Sequence, residues 1–392
     1  MNLHYDFFAP QRIVFGWGRR REVGVLGATL GRRAMIVDGL PTAVAEPVMA
    51  EIAAALRAAG IEVVSAATIA HEPEVGDVDR LAAELRQRDA APGDFMLAVG
   101  GGAAIDLAKA AAAMATNPQS TTVRDYLENV GRGLQITEAP LPVLAMPSTA
   151  GTGAEATRNA VISCYDPPFK KSLRDARILP RIALVDPELT VTVPAAVTAA
   201  SGMDAITQLI ESYISRKAQP IPQALSVQGL RLALPAIAAA VEQGASRSPR
   251  EAMAHAALLS GMALANSGLG MAHGVAAALG IHCRVSHGLA CAVMLPVALR
   301  INRPLRQFEL AELARSLFGL DAKMPAAEAA ETFCAQIDAL CRRVGVPSRL
   351  SALGVRPEQV PDLVRSSRGA SMSGNPRELS DAELTSILEA ML

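Results

Sequence analysis

Four side chains with metal-ligating atoms lie within one apolar, alanine-rich region of the chain. Asp204 and Gln208 stand four residues apart in SGMDAITQLIESY, and His273 and His287 follow in LGMAHGVAAALGIHCRVSHG. Residues four apart on a helix point the same way, so Asp204 and Gln208 can share an ion. Together the four side chains predict a metal site.

The two histidines require a break in the helical pattern between them. A continuous helix would separate His273 from His287 by about 21 Å, which is too far for both to bind one ion. Gly280 and residues 284–286 offer places where the chain can turn back.

Length and composition are typical of a soluble enzyme with two domains. The chain has 392 residues, 51% of them hydrophobic, which is more than a single core usually supports. A net charge of -1 gives no long-range field for nucleic acid or anionic lipid, so we expect neither as a partner. The run Arg19–Arg21 is interpreted as a solvated face.

Cysteine usage and the most apolar stretch bear on localisation. The five cysteines are an odd number without a CxxC pair, and no basic-then-apolar signal opens the sequence, which favours the cytoplasm. The stretch Ala252–Cys283 has no Asp, Glu, Lys or Arg and exceeds the roughly 20 residues of a membrane span. Because histidines, Asn266 and several glycines interrupt it, we predict a buried helical hairpin and no membrane contact.

The order of predicted elements indicates the fold class. Short apolar runs alternate with helical patterns until Val185, and only helical patterns follow. This predicts an α/β N-terminal dinucleotide-binding domain with a parallel sheet, residues 1–187, and an all-α C-terminal domain, residues 188–392. The predicted strands are Arg12–Phe15, Ala34–Val37, Glu62–Ser65, Phe95–Val99, Val143–Met146 and Ile182–Val185. The predicted helices are Pro47–Ala59, Val78–Arg88, Ile105–Ala115, Ala195–Ser215, Gln223–Glu242, Glu251–Leu264 and further helices in the tail.

A glycine-rich loop follows one predicted strand and opens a helix. Gly100, Gly101 and Gly102 begin GGGAAIDLAK, directly after Phe95–Val99. Glycines let backbone N–H groups approach an anion, and a helix N-terminus favours negative charge, so a pyrophosphate can bind there. The alternative, a tight turn that needs glycine for steric reasons alone, remains open.

A second loop and one aspartate complete the predicted nucleotide site. The loop PSTAGTGAEA offers hydroxyls from Ser148, Thr149 and Thr152. Asp38 follows the strand Ala34–Val37, where a carboxylate can accept a hydrogen bond from a ribose hydroxyl and disfavour a 2′-phosphate. This predicts NAD without excluding NADP. An aspartate in an ordinary turn is the alternative.

Several motifs in the same order resemble those of the iron-containing, group III alcohol dehydrogenases. They are GGGAAIDLAK, PSTAGTGAE, LVDPELT, SGMDAITQLIESY, the two-histidine segment and NPRELSDAEL. The resemblance covers nearly the whole chain. It implies the architecture shared with dehydroquinate synthase, with a divalent metal beside the nicotinamide in a cleft between the domains, and a homodimer.

The resemblance also assigns roles to individual residues. Asp204, His273 and His287 match three metal ligands, whereas Gln208 stands where most members have a histidine, which implies a weaker site for Fe²⁺ or Zn²⁺. Lys170 resembles a lysine that helps to position the cofactor.

Two further positions differ from the family pattern. Ala277 replaces a histidine often thought to relay protons, so the proton donor stays unassigned among His282, Lys170 and water. The usual Ser-Pro after the three glycines is Ala103-Ala104, which removes one hydroxyl donor from the phosphate loop.

The predicted activity is an NAD(P)-dependent oxidoreductase that interconverts a small alcohol and its aldehyde or ketone at a divalent metal. Three alternatives stay open. The first is a metal-independent reductase similar to maleylacetate reductase, and the second is a lyase similar to dehydroquinate synthase. The third is a nucleotide-binding protein without catalysis, which the changes at Gln208 and Ala277 permit.

Overall fold

A computed structural model of the chain describes residues 4–90 and 93–392, which form two compact units. The α/β unit comprises Phe8–Thr149 and Gly153–Thr192. The helical unit comprises Val193–Leu392, and it includes residues 4–7 and the short segment Ala150–Thr152. The predicted domain limits, 1–187 and 188–392, stay a prediction.

The α/β unit is built on a parallel sheet with the strand order β1-β8-β5-β4-β2-β3. Its elements are β1 (Arg12–Phe15), α1 (Val23–Gly27), β2 (Arg33–Gly39), α2 (Thr42–Ala58), β3 (Glu62–Thr68), α3 (Val75–Gln87), β4 (Asp94–Gly100), α4 (Gly102–Thr116), β5 (Val143–Pro147), β6 (Asn159–Tyr165), β7 (Pro168–Arg174) and β8 (Ile182–Val185). The predicted parallel sheet and all six of its predicted strands are confirmed. The central strands β4, β5 and β8 are buried along their whole length, as continuous apolar runs in a parallel sheet should be.

An antiparallel pair, β6 with β7, was not predicted from the sequence. Both strands carry polar residues, and β7 also carries charged ones. Pro167 lies between the two strands, and Pro168 begins β7. Such a composition hides the apolar alternation by which a strand is recognised. The pair matters because it carries Lys170.

The helical unit contains eight α-helices among its described residues. They are α5 (Ala195–Ile214), α6 (Pro220–Glu242), α7 (Arg247–Asn266), α8 (Met271–Cys283), α9 (His287–Phe318), α10 (Ala326–Arg343), α11 (Val360–Ser366) and α12 (Asp381–Glu389). Its core is formed by the apolar faces of these helices, among which α5 is buried along most of its length. The predicted all-α region is therefore confirmed.

The region predicted as a helical hairpin is a corner instead. Helices α7 and α8 are bent by 100° at the break between them. Gly268, with a φ of 156°, lies in this break, in a conformation that L side chains rarely adopt. Gly280 lies inside α8, and the chain turns at residues 284–286, where Arg284 has a φ of 57°. His273 and His287 thus occupy separate helices, as their spacing required.

Two helices, α6 and α9, have the length and the apolar composition of a membrane span. Roughly half of the residues in the apolar window of each is buried inside the structure. The predicted absence of membrane contact stays a prediction.

Candidate metal centre and nucleotide-binding loops

Three of the predicted metal ligands converge from three helices. The Nε2 atom of His273, in the first turn of α8, lies 3.2 Å from Oδ1 of Asp204, on α5. The Nε2 atom of His287, the first residue of α9, lies 3.9 Å from the same oxygen. Asp204 and His273 are buried, whereas the His287 side chain is 26% exposed, so the group has one side open to solvent.

A fourth potential ligand, Cys291, joins this group and was not predicted. Its Sγ lies 3.7 Å from Nε2 of His287, and ligating atoms of Asp204, His273, His287 and Cys291 all lie within 4.8 Å of one another. Cys291 follows His287 by four residues on α9, so both side chains point the same way. That spacing was the available signal, but it becomes informative only once His287 is known to begin a helix.

Two glycines permit the close packing that brings the ligands together. A side chain at Gly288 would place its Cβ 2.6 Å from the carbonyl oxygen of Ala200, on the turn of α5 before Asp204. A Cβ at Gly270 would lie 2.8 Å from Oε1 of Glu211. Any other residue at Gly288 would push α9 away from α5, and one at Gly270 would displace the Glu211 carboxylate.

Glu211 holds the start of α8 and orients His273. Its carboxylate accepts hydrogen bonds from the backbone N–H groups of Gly270 at 3.0 Å and Ala272 at 2.7 Å. Its Oε2 also lies 2.8 Å from Nδ1 of His273. A histidine that gives its Nδ1 hydrogen to a carboxylate can present the Nε2 lone pair to a metal. Glu211 lies two helical turns after Asp204, and this spacing could have identified it.

Asn375, from the motif NPRELSDAEL, also fixes the start of α8. Its Oδ1 accepts hydrogen bonds from the N–H of Met271 at 3.0 Å and from Nδ2 of Asn302 at 2.9 Å. Its own Nδ2 donates to Oδ1 of Asn302 at 3.1 Å. Because both amides are buried and paired with each other, they set the position of α8 relative to α9.

The pKa shifts in this group follow from burial and from close charges. Burial by itself raises the pKa of Asp204, but the adjacent histidines outweigh burial and lower it. Burial lowers the pKa of His273, whereas its contacts with Cys291, Asp204 and Glu211 raise it well above the ordinary value for histidine. Burial raises the pKa of the Cys291 thiol to about 12. The contacts with the Asp204 and Glu211 carboxylates thus favour the protonated form of His273 when no metal is bound.

Gln208 lies one turn after Asp204 on α5, as predicted, with both ends of its amide engaged. Its Oε1 accepts a hydrogen bond from the hydroxyl of Ser260 at 2.8 Å, and its Nε2 donates to the carbonyl oxygen of Thr152 at 3.3 Å. Its role as a metal ligand stays a prediction. Gly151 packs against Ser201 of α5, where a Cβ would come within 2.8 Å. These contacts attach the segment Ala150–Thr152 to the helical unit.

The predicted phosphate loop lies at the carboxyl end of β4. Gly100 ends this strand with a φ of 156°, and Gly101 precedes α4 without a side-chain hydrogen bond at the helix start. The N–H of Ser148 donates to the carbonyl oxygen of Gly100 at 2.9 Å, and a Cβ at Gly101 would lie 3.4 Å from Oγ1 of Thr149. The two predicted loops are therefore adjacent at Gly100, Gly101, Ser148 and Thr149. Thr152 belongs to the helical unit.

Other predicted residues have partners that the sequence did not indicate. Asp38 lies at the carboxyl end of β2, and its Oδ1 accepts a hydrogen bond from the N–H of Leu40 at 2.8 Å. The Nζ of Lys170 donates to both carboxylate oxygens of Glu72 at 2.7 Å. Nε2 of His282 lies 2.7 Å from Oγ of Ser366.

The run Arg19–Arg21, interpreted as a solvated face, is a set of ion pairs. The Arg20 side chain is only 11% exposed and pairs with Glu51, Asp186 and Glu188. The interpretation was wrong for Arg20, because sequence alone does not show that acidic residues of α2 and of the segment after β8 surround it.

A second group of buried charges lies in the α/β unit. The fully buried Lys109 ammonium is 2.9 Å from Oδ1 of Asp106 and donates to the carbonyl oxygen of Ala154 at 2.9 Å and to Oγ1 of Thr157 at 3.0 Å. Next to it, burial raises the pKa of Glu155 to about 7, although Lys109 opposes this shift. This group ties α4 to the loop after β5 and is complete within the chain.

Comparisons with known proteins cover both units. The sequence model of iron-containing alcohol dehydrogenase matches residues 10–187, and that of the C-terminal region of the Fe-containing alcohol dehydrogenase family matches residues 198–392. The NAD-dependent methanol dehydrogenase of Bacillus methanolicus is 30% identical over 99% of this chain and 100% of its own. The 1,3-propanediol dehydrogenase of Klebsiella pneumoniae is 32% identical over 98% and 97%. The solved structure of an alcohol dehydrogenase from Oenococcus oeni has a TM-score of 0.91 at 28% identity, covering 99% of this chain and 100% of that one.

Proposed function

The chain belongs to the iron-containing alcohol dehydrogenase family, and we propose that Asp204, His273 and His287 hold the divalent metal with which it interconverts a small alcohol and its aldehyde or ketone. The predicted resemblance, the oxidoreductase class and the fold are confirmed. NAD and a divalent metal are supported as cofactors by the family and by its NAD-dependent relative.

The convergence of one carboxylate and two imidazoles at a buried point carries this proposal. The three ligating atoms come from three separate helices, so a shared position is not a consequence of sequence proximity. Carboxylate oxygen and imidazole nitrogen suit both Zn²⁺ and Fe²⁺. With one carboxylate and two neutral imidazoles, a divalent ion keeps about one net positive charge. When bound, it stabilises the negative charge that develops on the substrate oxygen during hydride transfer.

The residues around the ligands prepare the site for an ion. Glu211 accepts the Nδ1 hydrogen of His273, so that Nε2 faces Asp204. The exposed side of His287 gives a small substrate its approach. Ala277 offers no titratable group, and His282 lies beside Ser366, so we assign the proton donor to no side chain.

For NAD we propose the loops at the carboxyl ends of β4 and β5. Backbone N–H groups of Gly100, Gly101 and Gly102 at the start of α4, with the hydroxyls of Ser148 and Thr149, suit a pyrophosphate. Ligands of open parallel sheets bind at the carboxyl ends of the strands, and these residues lie there.

Three further residues are proposed for the cofactor. Asp38, at the same edge of the sheet, suits the ribose, and kcat/KM with NAD should exceed that with NADP. Lys170 and Thr152 stay predicted cofactor contacts. Glu72, which binds the Lys170 ammonium, would fix where that charge lies.

Metal identity, localisation and assembly are further parts of the proposal. The ligand set accommodates Fe²⁺ or Zn²⁺. All five cysteines are free, which suits a reducing cytoplasm. A homodimer is proposed from family membership.

The test measures NADH formation by the purified full chain. Metal is removed with a chelator and replaced with Fe²⁺ or Zn²⁺, and NADH absorbance is followed with a panel of alcohols that includes methanol and 1,3-propanediol. We expect turnover only after reloading, and none with Asp204→Ala. Stoichiometric metal without any NADH change across alcohols and aldehydes would overturn the proposal.

A further inference from the structure

We propose that Cys291 binds the metal as a thiolate and is the fourth protein ligand of the site, in place of Gln208, and that the site therefore selects zinc over Fe²⁺. This inference rests on the proposed function, because it concerns the same ion. The geometry of the four side chains and the contacts of Gln208 support it independently.

Three of the six separations between the ligating atoms lie near those around a tetrahedral ion. Zinc binds oxygen and nitrogen at about 2.0 Å and thiolate sulfur at about 2.3 Å, so ligand atoms on a tetrahedron stand about 3.3–3.5 Å apart. The observed separations are 3.2 Å from Asp204 to His273, 3.9 Å from Asp204 to His287, and 3.7 Å from His287 to Cys291. All four atoms lie within 4.8 Å of one another, so they surround a single point.

The position of Cys291 leaves its sulfur directed at this group. It is fully buried, and its sulfur lies within 4.8 Å of ligating atoms of both Asp204 and His273. It shares one face of α9 with His287, four residues earlier.

Binding of Cys291 as a thiolate would release protons from this group. On binding, the sulfur–hydrogen bond of Cys291 breaks, the proton leaves to solvent, and the sulfur lone pair binds the metal. The proton on Nε2 of His273 leaves as well. Coordinating thiols are deprotonated by the bound ion.

Gln208, by contrast, has its amide committed elsewhere. Its Oε1, the atom that would bind a metal, accepts a hydrogen bond from the Ser260 hydroxyl. Its Nε2 donates a hydrogen bond to the carbonyl oxygen of Thr152. The Thr152 carbonyl fixes which end of the amide faces which partner, because a reversed amide would place two acceptors together. We assign Gln208 to positioning the segment Ala150–Thr152.

A thiolate changes which metal the site prefers. Thiolate is a soft ligand that favours zinc, and zinc already binds more tightly than Fe²⁺ to most nitrogen and oxygen sites. Catalytic zinc sites expand to five ligands, so a fourth protein ligand is compatible with the proposed reaction.

The test uses Co²⁺ alone as a spectroscopic probe of the metal-free full chain. A cobalt–thiolate bond gives an intense near-ultraviolet charge-transfer band. We expect this band at one Co²⁺ per chain in the unmodified protein, and its loss in Cys291→Ser, with Zn²⁺ affinity lowered at least about 100-fold. Gln208→Leu should keep the band.

Cys341→Ser is the matched control. Cys341 is buried in the same core, and burial raises the pKa of its thiol to about 12 as well, but its sulfur faces the carbonyl oxygen of Ala292. This variant should keep the band and the Zn²⁺ affinity. A band that survives in Cys291→Ser, or disappears in Cys341→Ser, would overturn the assignment.

X-ray absorption on the zinc-loaded unmodified chain needs no variant to fold. It should show one sulfur at about 2.3 Å from the metal. Bound metal without a sulfur neighbour, together with NADH turnover, would reject Cys291 and leave the proposed function intact. A chain that binds no Co²⁺ or Zn²⁺ and shows no turnover would reject both.

Discussion

The two units each bury a group of charges, and the groups differ in where their cation comes from. In the α/β unit, Lys109 brings its ammonium to Asp106. In the helical unit, the described contacts of Asp204 and Glu211 go to histidines, to a cysteine and to backbone N–H groups. A proton on His273 is the cation there in the absence of metal.

This difference separates a structural cluster from a binding site. In the Lys109 group the chain itself supplies the positive charge that the Asp106 carboxylate faces. The Asp204 group relies on a proton that a divalent ion can replace, since the ligand atoms already surround one point. Buried carboxylates therefore indicate a site only where the chain does not itself supply the opposite charge.

The largest effect is expected from Lys109→Met. Removing the ammonium leaves the Asp106 carboxylate uncompensated and two buried acceptors without their donor, which should lower the free energy of unfolding by about 3–5 kcal/mol. Urea denaturation measures this change. Lys323→Met, at an exposed lysine, should stay within about 0.5 kcal/mol. Equal effects of the two variants would show that the buried pair is not structural.

Glu155→Gln should change how stability depends on pH. The folded-state pKa of Glu155, about 7, lies above its unfolded value, so the stability that it contributes is fully present below about pH 4.5 and is lost as the pH rises through about 7. The loss approaches about 3 kcal/mol at pH 8. The variant should therefore be more stable than the unmodified chain at pH 8 and similar to it at pH 4.5, as measured by urea denaturation.

An exposed glutamate serves as the control for this pH dependence. Glu62→Gln should leave the slope of stability against pH unchanged. If stability depends on pH in Glu155→Gln as it does in the unmodified chain, Glu155 is ionised at neutral pH. The contrast between the Lys109 group and the Asp204 group would then be weaker.

Asp204→Ala should abolish tight metal binding while leaving the α/β unit intact. It removes the oxygen that both histidines face, and we expect Zn²⁺ affinity to fall at least about 100-fold. Equilibrium dialysis followed by metal analysis measures the affinity, and NAD binding by the same variant reports on the α/β unit. Asp362→Ala, at a half-exposed side chain of α11, should bind Zn²⁺ like the unmodified chain. Unchanged Zn²⁺ binding by Asp204→Ala would place the ion elsewhere.

Glu211→Gln should have the smallest effect, a loss of about 10–100-fold in Zn²⁺ affinity. The amide keeps the size of the carboxylate but holds the Nδ1 hydrogen of His273 less strongly, so Nε2 is a weaker and less oriented ligand. Competition with a chromophoric chelator measures the affinity. Glu211→Asp, which restores the charge at a shorter reach, should recover part of it. If Glu211→Gln binds Zn²⁺ as tightly as the unmodified chain, the Glu211 carboxylate only holds the start of α8.

Much of the fold was predictable because apolar periodicity is a local property. The six parallel strands and the change to helices after Val185 followed from it. The β6–β7 pair was not predictable in the same way, because its charged residues are partnered by distant side chains such as Glu72. The corner between α7 and α8 was also missed, since glycine indicates a break without giving its angle.

The candidate site was predictable in part. Asp204, His273 and His287 follow from residue type and family motifs. Cys291 and Glu211 did not stand out, because a cysteine or a glutamate on a helix has no distinctive chemistry until its neighbours are known.

The sequence by itself determined the ligand types, the helix of Asp204 and the break that His273 and His287 require. Only the tertiary structure decided which atoms meet, because convergence depends on α5, α8 and α9 packing at close range through Gly270 and Gly288. Ligand chemistry is carried by single residues, whereas a shared binding point is a property of distances between helices that lie far apart along the chain.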